Sequence, residues 1–496
     1  MASLELTRNS AAVVLRQTTG QVVLPQPSSS RLVIATQVVL GGGNVSTDES
    51  VSVDGHIAVM DGTTGKKIRD GGALTVETTG DIVLAVSTTG TDRTQTITNG
   101  DYTSTPFLTI DGALDALPRF NIHTVIINVG AGTFAKWIPR PFVGGGTERI
   151  IGYRAIVTPS SGVSSGTAGT GTGIDGVTGV STIVKPTGAP DWPSDNSLRG
   201  KFIVVTGGAG FLAAPVIVIG CIKANTTTQL EVAMLAGVGL ATSDSNFVIE
   251  AIDDTTTWEI VSMATSITVD RVGDTQMKLV GCQGVTSVEC MSFGGAGDQY
   301  GSVFYPEESS EFHIMACSMD FTGNQNYGAF CVAVGELVFV ACYVNGGSFC
   351  DASANTVVAY GCVGDNCYGF QVYATLAAYG AYNWIDNASL AGAQLWSLYN
   401  CGSFFDYASV ASNCIASAII SAVACAQLQL NVMMATGTCT GYGMAISGPC
   451  VAATDSKAFT GDAGDVLLDD TVVSIQAAAY GDVFVRDLCE LIYVGS

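Results

Sequence analysis

Residues 327–346 read YGAFCVAVGELVFVACYVNG and residues 347–366 read GSFCDASANTVVAYGCVGDN. Cut every twenty residues as far as 458, the chain lines up on itself. The fourth column then holds Phe330, Cys350, Phe370, Leu390, Val410, Leu430 and Cys450, with no polar member. Two places on stand Val332, Ala352, Val372, Gly392, Ser412, Val432 and Ala452. A third column runs Val338, Val358, Ala378, Leu398, Ala418, Thr438, Ala458. A fixed period with apolar alternation inside each unit is the signature of a solenoid, because a unit this short buries its core only by stacking on its neighbours. The period predicts an all-β fold, a parallel β-helix with about three short strands per turn. Seven regular rungs spaced about 4.8 Å apart give roughly 34 Å of rod.

The composition agrees. Of 496 residues 47% are hydrophobic and 13% charged, too apolar for a disordered chain. The formal charge of −23 argues against binding to nucleic acid by phosphate neutralisation. Apolar runs such as LAAPVIVIGC (residues 212–221) are too short and too broken to span a bilayer, so no membrane insertion is expected. The opening MASLELTRNS has no apolar core of a secretory signal, and assembly in a host cytoplasm is the expectation. Fifteen cysteines form no C-x-x-C pair and the chain has three histidines, so no zinc pattern, and no metal or other cofactor, is expected. Cys350 and Cys450 fall in the apolar column, and Cys342 and Cys362 one turn apart, where thiols serve as small buried hydrophobes.

Outward from the repeat, changes of pattern suggest boundaries. Residues 1–45 form a leading attachment segment with turn chemistry at QPSSSR (residues 26–31). Residues 46–104 read as a small β module and linker, with a strong turn at DGTTG (residues 61–65). Residues 105–157 carry a helical cap and the first rungs. In PFLTIDGALDALPRF (residues 106–120), Leu108, Ile110, Leu114 and Leu117 make one apolar helical face, stopped by Pro118. HTVIINVGAGTF (residues 123–134) and ERIIGY (residues 148–153) read as strands. Residues 158–252 break the pattern and read as an inserted β-rich domain. The shaft runs from 253 to 458, resuming at WEIV (residues 258–261), and 459–496 close it with a cap around strands at 466–468, 472–475 and 483–485.

Two stretches resemble a known family. HIAVMDGTTGKKIRDGG (residues 56–72) resembles the short β segments near the amino end of bacteriophage tail fibres and tailspikes. The helix-then-strand opening of residues 106–134 resembles the start of pectate-lyase-like right-handed β-helices, including those on tailspikes. The resemblance implies a structural virion protein, a homotrimer, joined through its amino end to baseplate, tail or capsid proteins and displaying a surface to a host glycan or receptor. Two alternatives stand beside it: a polysaccharide-cleaving tailspike, and a capsid decoration fibre or surface adhesin.

Candidate site residues follow from residue chemistry. Asp386 and Asp406 share the last repeat column and are expected to stack one rung apart, near the roughly 5 Å carboxyl spacing of a retaining glycosidase. A ladder of turn-stabilising side chains, or a cation bridge, would use the same column. Glu307 and Glu311, with Glu308 and Tyr305, form a second acidic group. Trp384, Trp396 and Tyr379, with Tyr373 and Tyr399, could stack on sugar faces or fill the core. VVTGGAGFL (residues 204–212) resembles the nucleotide loop of short-chain dehydrogenases, but VIVI (residues 216–219) follows where a helix should, so a hairpin turn is expected and no nucleotide.

Overall fold

The computed structural model describes residues 77–448 except 94, 176–179, 213–215, 239–248, 250, 270–276, 295–301, 322–326, 387–393, 415–417, 432–433, 437–439 and 441; outside that span it describes only backbone strands. Residues 1–76 form one compact unit and residues 77–496 another. In the first, His56–Asp61 and Lys67–Ala73 pair antiparallel, and residues 62–66 of the expected turn lie outside the described residues. The leading QPSSSR segment lies outside the described residues, as do Leu390 and Cys450.

The second unit is a right-handed parallel β-helix of about 12 turns. Each turn has three faces. One turn shows the plan: Ser302–Glu307 lies on face A, Glu311–Met315 on face B and Ser318–Asp320 on face C. Each strand pairs in parallel with the same face of the next turn. Face A stacks Phe304, Ala329, Cys350, Phe370, Trp396, Ile420 and Met444 in one inward column. Phe349, Phe370 and Trp396 form a continuous interior stack, with ring centroids 4.5 Å apart at both steps. Parallel stacking brings identical positions together, so large flat side chains gain most in this lumen.

Single residues in the left-handed conformation turn the corners. Between faces B and C these are Cys290, Ala316, Ala341, Gly361, Tyr382 and Ala408; between A and B they include Glu308, Ala333, Ala374, Asn400 and Ala424. Left-handed backbone costs a non-glycine residue about 1–2 kcal/mol. Here most such amides donate to the carbonyl of the next rung, as from Ala316 to Val340 and from Ala341 to Tyr360, both at 2.8 Å. Stacking thus holds a conformation that no isolated turn of this sequence would keep.

Rung length is not fixed at twenty. Along the shaft it runs from 17 residues (Val466 to Val483) to 27 (Met277 to Phe304). The twenty-residue columns therefore drift out of spatial register. Cys350 does stack on Phe370, but Val410 lies on face C against Trp384. Stacking dictates the inward strand residues, while the C-to-A connection varies in length, from two residues between Asn345 and Ser348 to nine between Asp386 and Trp396. The parallel stack also continues through Gly464–Asp469 and Val483–Arg486, beyond the point where the sequence repeat fades.

The amino-terminal helix is short, Ile110–Asp115, capped by the Thr109 hydroxyl accepting from the Gly112 amide at 2.9 Å. Ile110, Leu114 and Leu117 are buried in the rod core, whereas Leu108 is exposed because it precedes the helix. The inserted domain occupies the B-to-C corner between Thr147–Gly152 and Thr265–Thr268, where later turns need one left-handed residue. It is an antiparallel sheet that includes Arg154–Ile156 and Thr257–Met263. The shaft therefore resumes after Met263, not at residue 257, and Trp258 packs on Trp192 inside the domain. An apolar run such as WEIV reads alike in either setting. The glycine-rich stretch is a hairpin turn: Phe202–Gly207 returns antiparallel along Ile217–Asn225.

Both faces of this inserted sheet are buried, which explains the unbroken FIVV of residues 202–205. Ile203 and Val205 enter the domain's own core with Trp192 and Trp258. Phe202 and Val204, with Ile219, Cys221 and Met234, pack on Met315, Val338, Val340 and Val358, outward residues of face B. All twelve described cysteines are free and buried.

Candidate functional site

The structure separates the predicted carboxylate pair. Asp386 is on face C, level with Asp365 on one side and Ser412 on the other. Asp406 is on face B, level with Gly380 and Leu430. The expected stacking fails because the rungs between them are longer than twenty residues.

Their surroundings differ as much as their places. Asp406 points into the lumen and is 2% exposed. It accepts a hydrogen bond from Trp396 Nε1 at 2.6 Å. Gly380 makes room for it, since a β-carbon there would collide with the carboxylate and the indole. Burial pushes its carboxyl up to about 7, against hydrogen bonds from Ser409 and Trp396. Asp386 is held from outside: Arg199 of the inserted domain donates to it at 3.1 Å and also pairs with Asp365. The Asn413 amide donates to the other Asp386 oxygen at 3.1 Å. Burial raises the Asp365 carboxyl against the pull of Arg199. These two aspartates clamp the inserted domain to the rod.

The second acidic group is likewise occupied. Glu307 pairs with Lys278 at 2.6 Å, and Lys278 lies 4.8 Å from the Tyr305 ring centroid. Glu311 sits 3.6 Å from the buried His313 ring and level with Glu336 in the next rung. Burial raises the Glu336 carboxyl first, and Glu311 adds to the rise.

The aromatic candidates divide three ways. Trp396 is fully buried in the lumen. Trp384 is covered by Lys223 of the inserted domain, 3.7 Å from its ring centroid. Tyr379 remains on the surface, 37% exposed, and stacks on Phe405 of the next rung with centroids 5.6 Å apart and planes 9° from parallel. Across the A/B corner, Tyr373 and the exposed Tyr399 face each other at 6.4 Å. Two consecutive rungs thus set four aromatic rings on either side of one corner, with Leu376 exposed between them. The other outward residues here are Gln371, Ala377, Ala381, Ser397, Ser403 and Tyr407 and, one rung on, Ser421, Val423, Gln427 and Gln429. Phe405 escaped the sequence reading because the 26-residue rung hides its alignment with Tyr379.

No family model matches the chain, and no curated protein matches it. It is similar to several solved structures. One is the Gp54 tailspike of Acinetobacter baumannii bacteriophage AP22 in complex with A. baumannii capsular saccharide, at 8% identity over 74% of this chain and 71% of that one, with a TM-score of 0.20. Another is a glycoside hydrolase at 9% identity, covering 83% and 96%, with a TM-score of 0.29. A third is the tailspike gp49 from Pseudomonas phage LKA1, at 12% identity over 75% and 70%, with a TM-score of 0.21.

Proposed function

We propose that this chain is a structural virion protein, a tail fibre or tailspike, whose β-helical rod binds a host surface glycan without cleaving it. One observation carries the binding mode. The corner formed by Tyr373, Tyr379, Tyr399 and Phe405 is flanked by amides and hydroxyls, with no carboxylate among the outward residues of those two rungs. The one beside it, Asp351, stands one rung back, level with Gln371, and acts on Tyr373 without a second carboxylate opposite it in those rungs. Aromatic faces stack on the apolar faces of sugar rings, and glutamine and serine exchange hydrogen bonds with hydroxyls. Hydrolysis needs an acid and a base or nucleophile flanking one bond. The aspartates nearest this surface in sequence are committed elsewhere, Asp406 to the lumen and Asp386 to Arg199. A homotrimer on the virion, held through the amino-terminal segment, would multiply such weak contacts by avidity.

The test is incubation of the purified protein with capsular or envelope polysaccharide from candidate hosts, followed by sizing of the sugar. Intact sugar retained by the protein is expected, with retention at least tenfold weaker for Tyr379→Ala combined with Phe405→Ala. Shortened chains would replace this reading with a depolymerase. No retention across the panel would remove the glycan-binding role.

A further inference from the structure

A groove of about 370 Å³ lies between the first three rungs of face B and the inserted domain. Val83, Ile126 and Ile151 form its floor, and Ile217 its far wall. Val83 and Ile126 stand level on neighbouring strands, so the floor is a flat apolar step about 4.8 Å per rung. Arg149, Asn128, Tyr153 and Arg154 supply its polar groups. Along face B the groove is six rungs from Tyr379, about 29 Å, so it is separate from the aromatic corner.

The two arginines differ. Arg149 is neutralised: it donates twice to Glu289, at 2.7 and 2.8 Å, and Ser287 donates to the same carboxylate at 2.8 Å. Arg154 has no carboxylate within ion-pair distance among the described residues. Its one hydrogen-bond partner among the described residues is the Cys290 thiol, 3.2 Å from Nη1. That thiol is a weak acceptor and is kept neutral by burial, which raises it above its ordinary range. In a chain with 43 acidic and 20 basic residues, a guanidinium left without a carboxylate in a concave site is an anion site awaiting its anion.

We propose that this groove binds one carboxylated sugar ring, a uronate unit of a host polysaccharide; this rests on the glycan-binding reading above. The ring's apolar face lies on Ile126 and Ile151. Its carboxylate takes the Arg154 fork, which suits two parallel N–H···O bonds. Asn128 and the exposed Tyr153 reach the hydroxyls.

Saturation-transfer NMR on the full chain, with sodium D-glucuronate against D-glucose as probes, tests it. Glucuronate ring protons are expected to gain at least fivefold more saturation than those of glucose. Arg154→Gln should abolish the difference, and Arg154→Lys should keep part of it. Asn128→Ala, at an exposed position, should weaken the signal with the thermal midpoint unchanged, which covers the case of an unfolded Arg154 variant. Equal saturation from both sugars, none from glucuronate, or a signal that survives Arg154→Gln in a folded protein would overturn the proposal. The two readings fail apart. Polysaccharide retained equally by wild type and Arg154→Gln, with no glucuronate signal, removes this groove and leaves the corner. A glucuronate signal lost in Arg154→Gln, with no polysaccharide retained, does the reverse.

Discussion

The same two outward columns of face B run through a clothed stretch of rod and a bare one. Under the inserted domain they hold Met315, Val338, Val340 and Val358, all buried. Tyr360 packs at its edge, and past it the columns hold Tyr379, Ala381, Phe405, Tyr407 and Gln429. The lumen beneath does not change character at this boundary; Ile314, Phe339, Phe404 and Leu430 are all buried. What varies is what each outward position meets. Aliphatic side chains serve where another sheet covers them, and rings with a polar tip serve where one side stays wet. The boundary between them marks where the inserted domain ceases to cover the rod.

The comparison is most sharply tested at the clothed end. Glu289 is 1% exposed and neutralises Arg149. Glu289→Ala strands a buried guanidinium and is expected to cost about 4 kcal/mol in urea unfolding. Replacing the pair together, Arg149→Met with Glu289→Leu, should recover most of that loss. If the single variant costs under 1 kcal/mol, the interface is wet and the clothed stretch is not clothed.

A smaller effect tests the columns themselves. Met315→Ala removes a buried contact with the inserted sheet and is expected to cost about 3 kcal/mol. Tyr379→Ala, three rungs further along, should change stability by no more than about 0.5 kcal/mol while reducing glycan retention. Equal costs in the same denaturation assay would erase the distinction between the two stretches.

The interior is expected to answer to pH at both ends. Burial raises Glu148, beneath the clothed stretch, to about 8, and Asp406, beneath the bare one, to about 7. Both carboxyls are therefore neutral when folded and ionised when unfolded between about pH 4 and those values. The folded state binds more protons there, so stability falls as pH rises and levels off above the folded values. Asp406 alone should contribute a loss of about 2 kcal/mol between pH 5 and pH 7. Asp406→Asn should flatten its share of the profile, measured as the unfolding midpoint across pH. A wild-type stability that instead rises over that range would show the carboxylate ionised inside the rod.

The smallest effect concerns a corner. Ala374 has φ of 50° and is exposed, so Ala374→Gly relieves left-handed strain with little packing lost. A gain of up to about 1 kcal/mol is expected in the same unfolding assay.

Much of this architecture was legible in the residues. Inward positions repeat because stacked rungs place like on like, and any polar intruder there is costly. The hairpin at residues 204–212 was legible because β-branched residues follow the glycines where a helix would have to start. The register was not. Connections between face C and face A differ in length from turn to turn, so Asp386 and Asp406, aligned by number, fall on different faces. The extent of the inserted domain was hidden for a related reason: a strand buried on both faces reads the same in a domain as in a shaft.

The sequence by itself determined that the chain stacks into an apolar-cored solenoid, because no twenty-residue unit could bury its own side chains. Only the tertiary structure decided which outward residues are free. Arg199 reaches Asp365 and Asp386, Lys223 covers Trp384, and Gly380 opens the lumen to Asp406, all through partners distant in the chain. A local pattern records the face on which a side chain sits. Whether that face meets water, a carboxylate or another sheet depends on where the rest of the chain comes to lie.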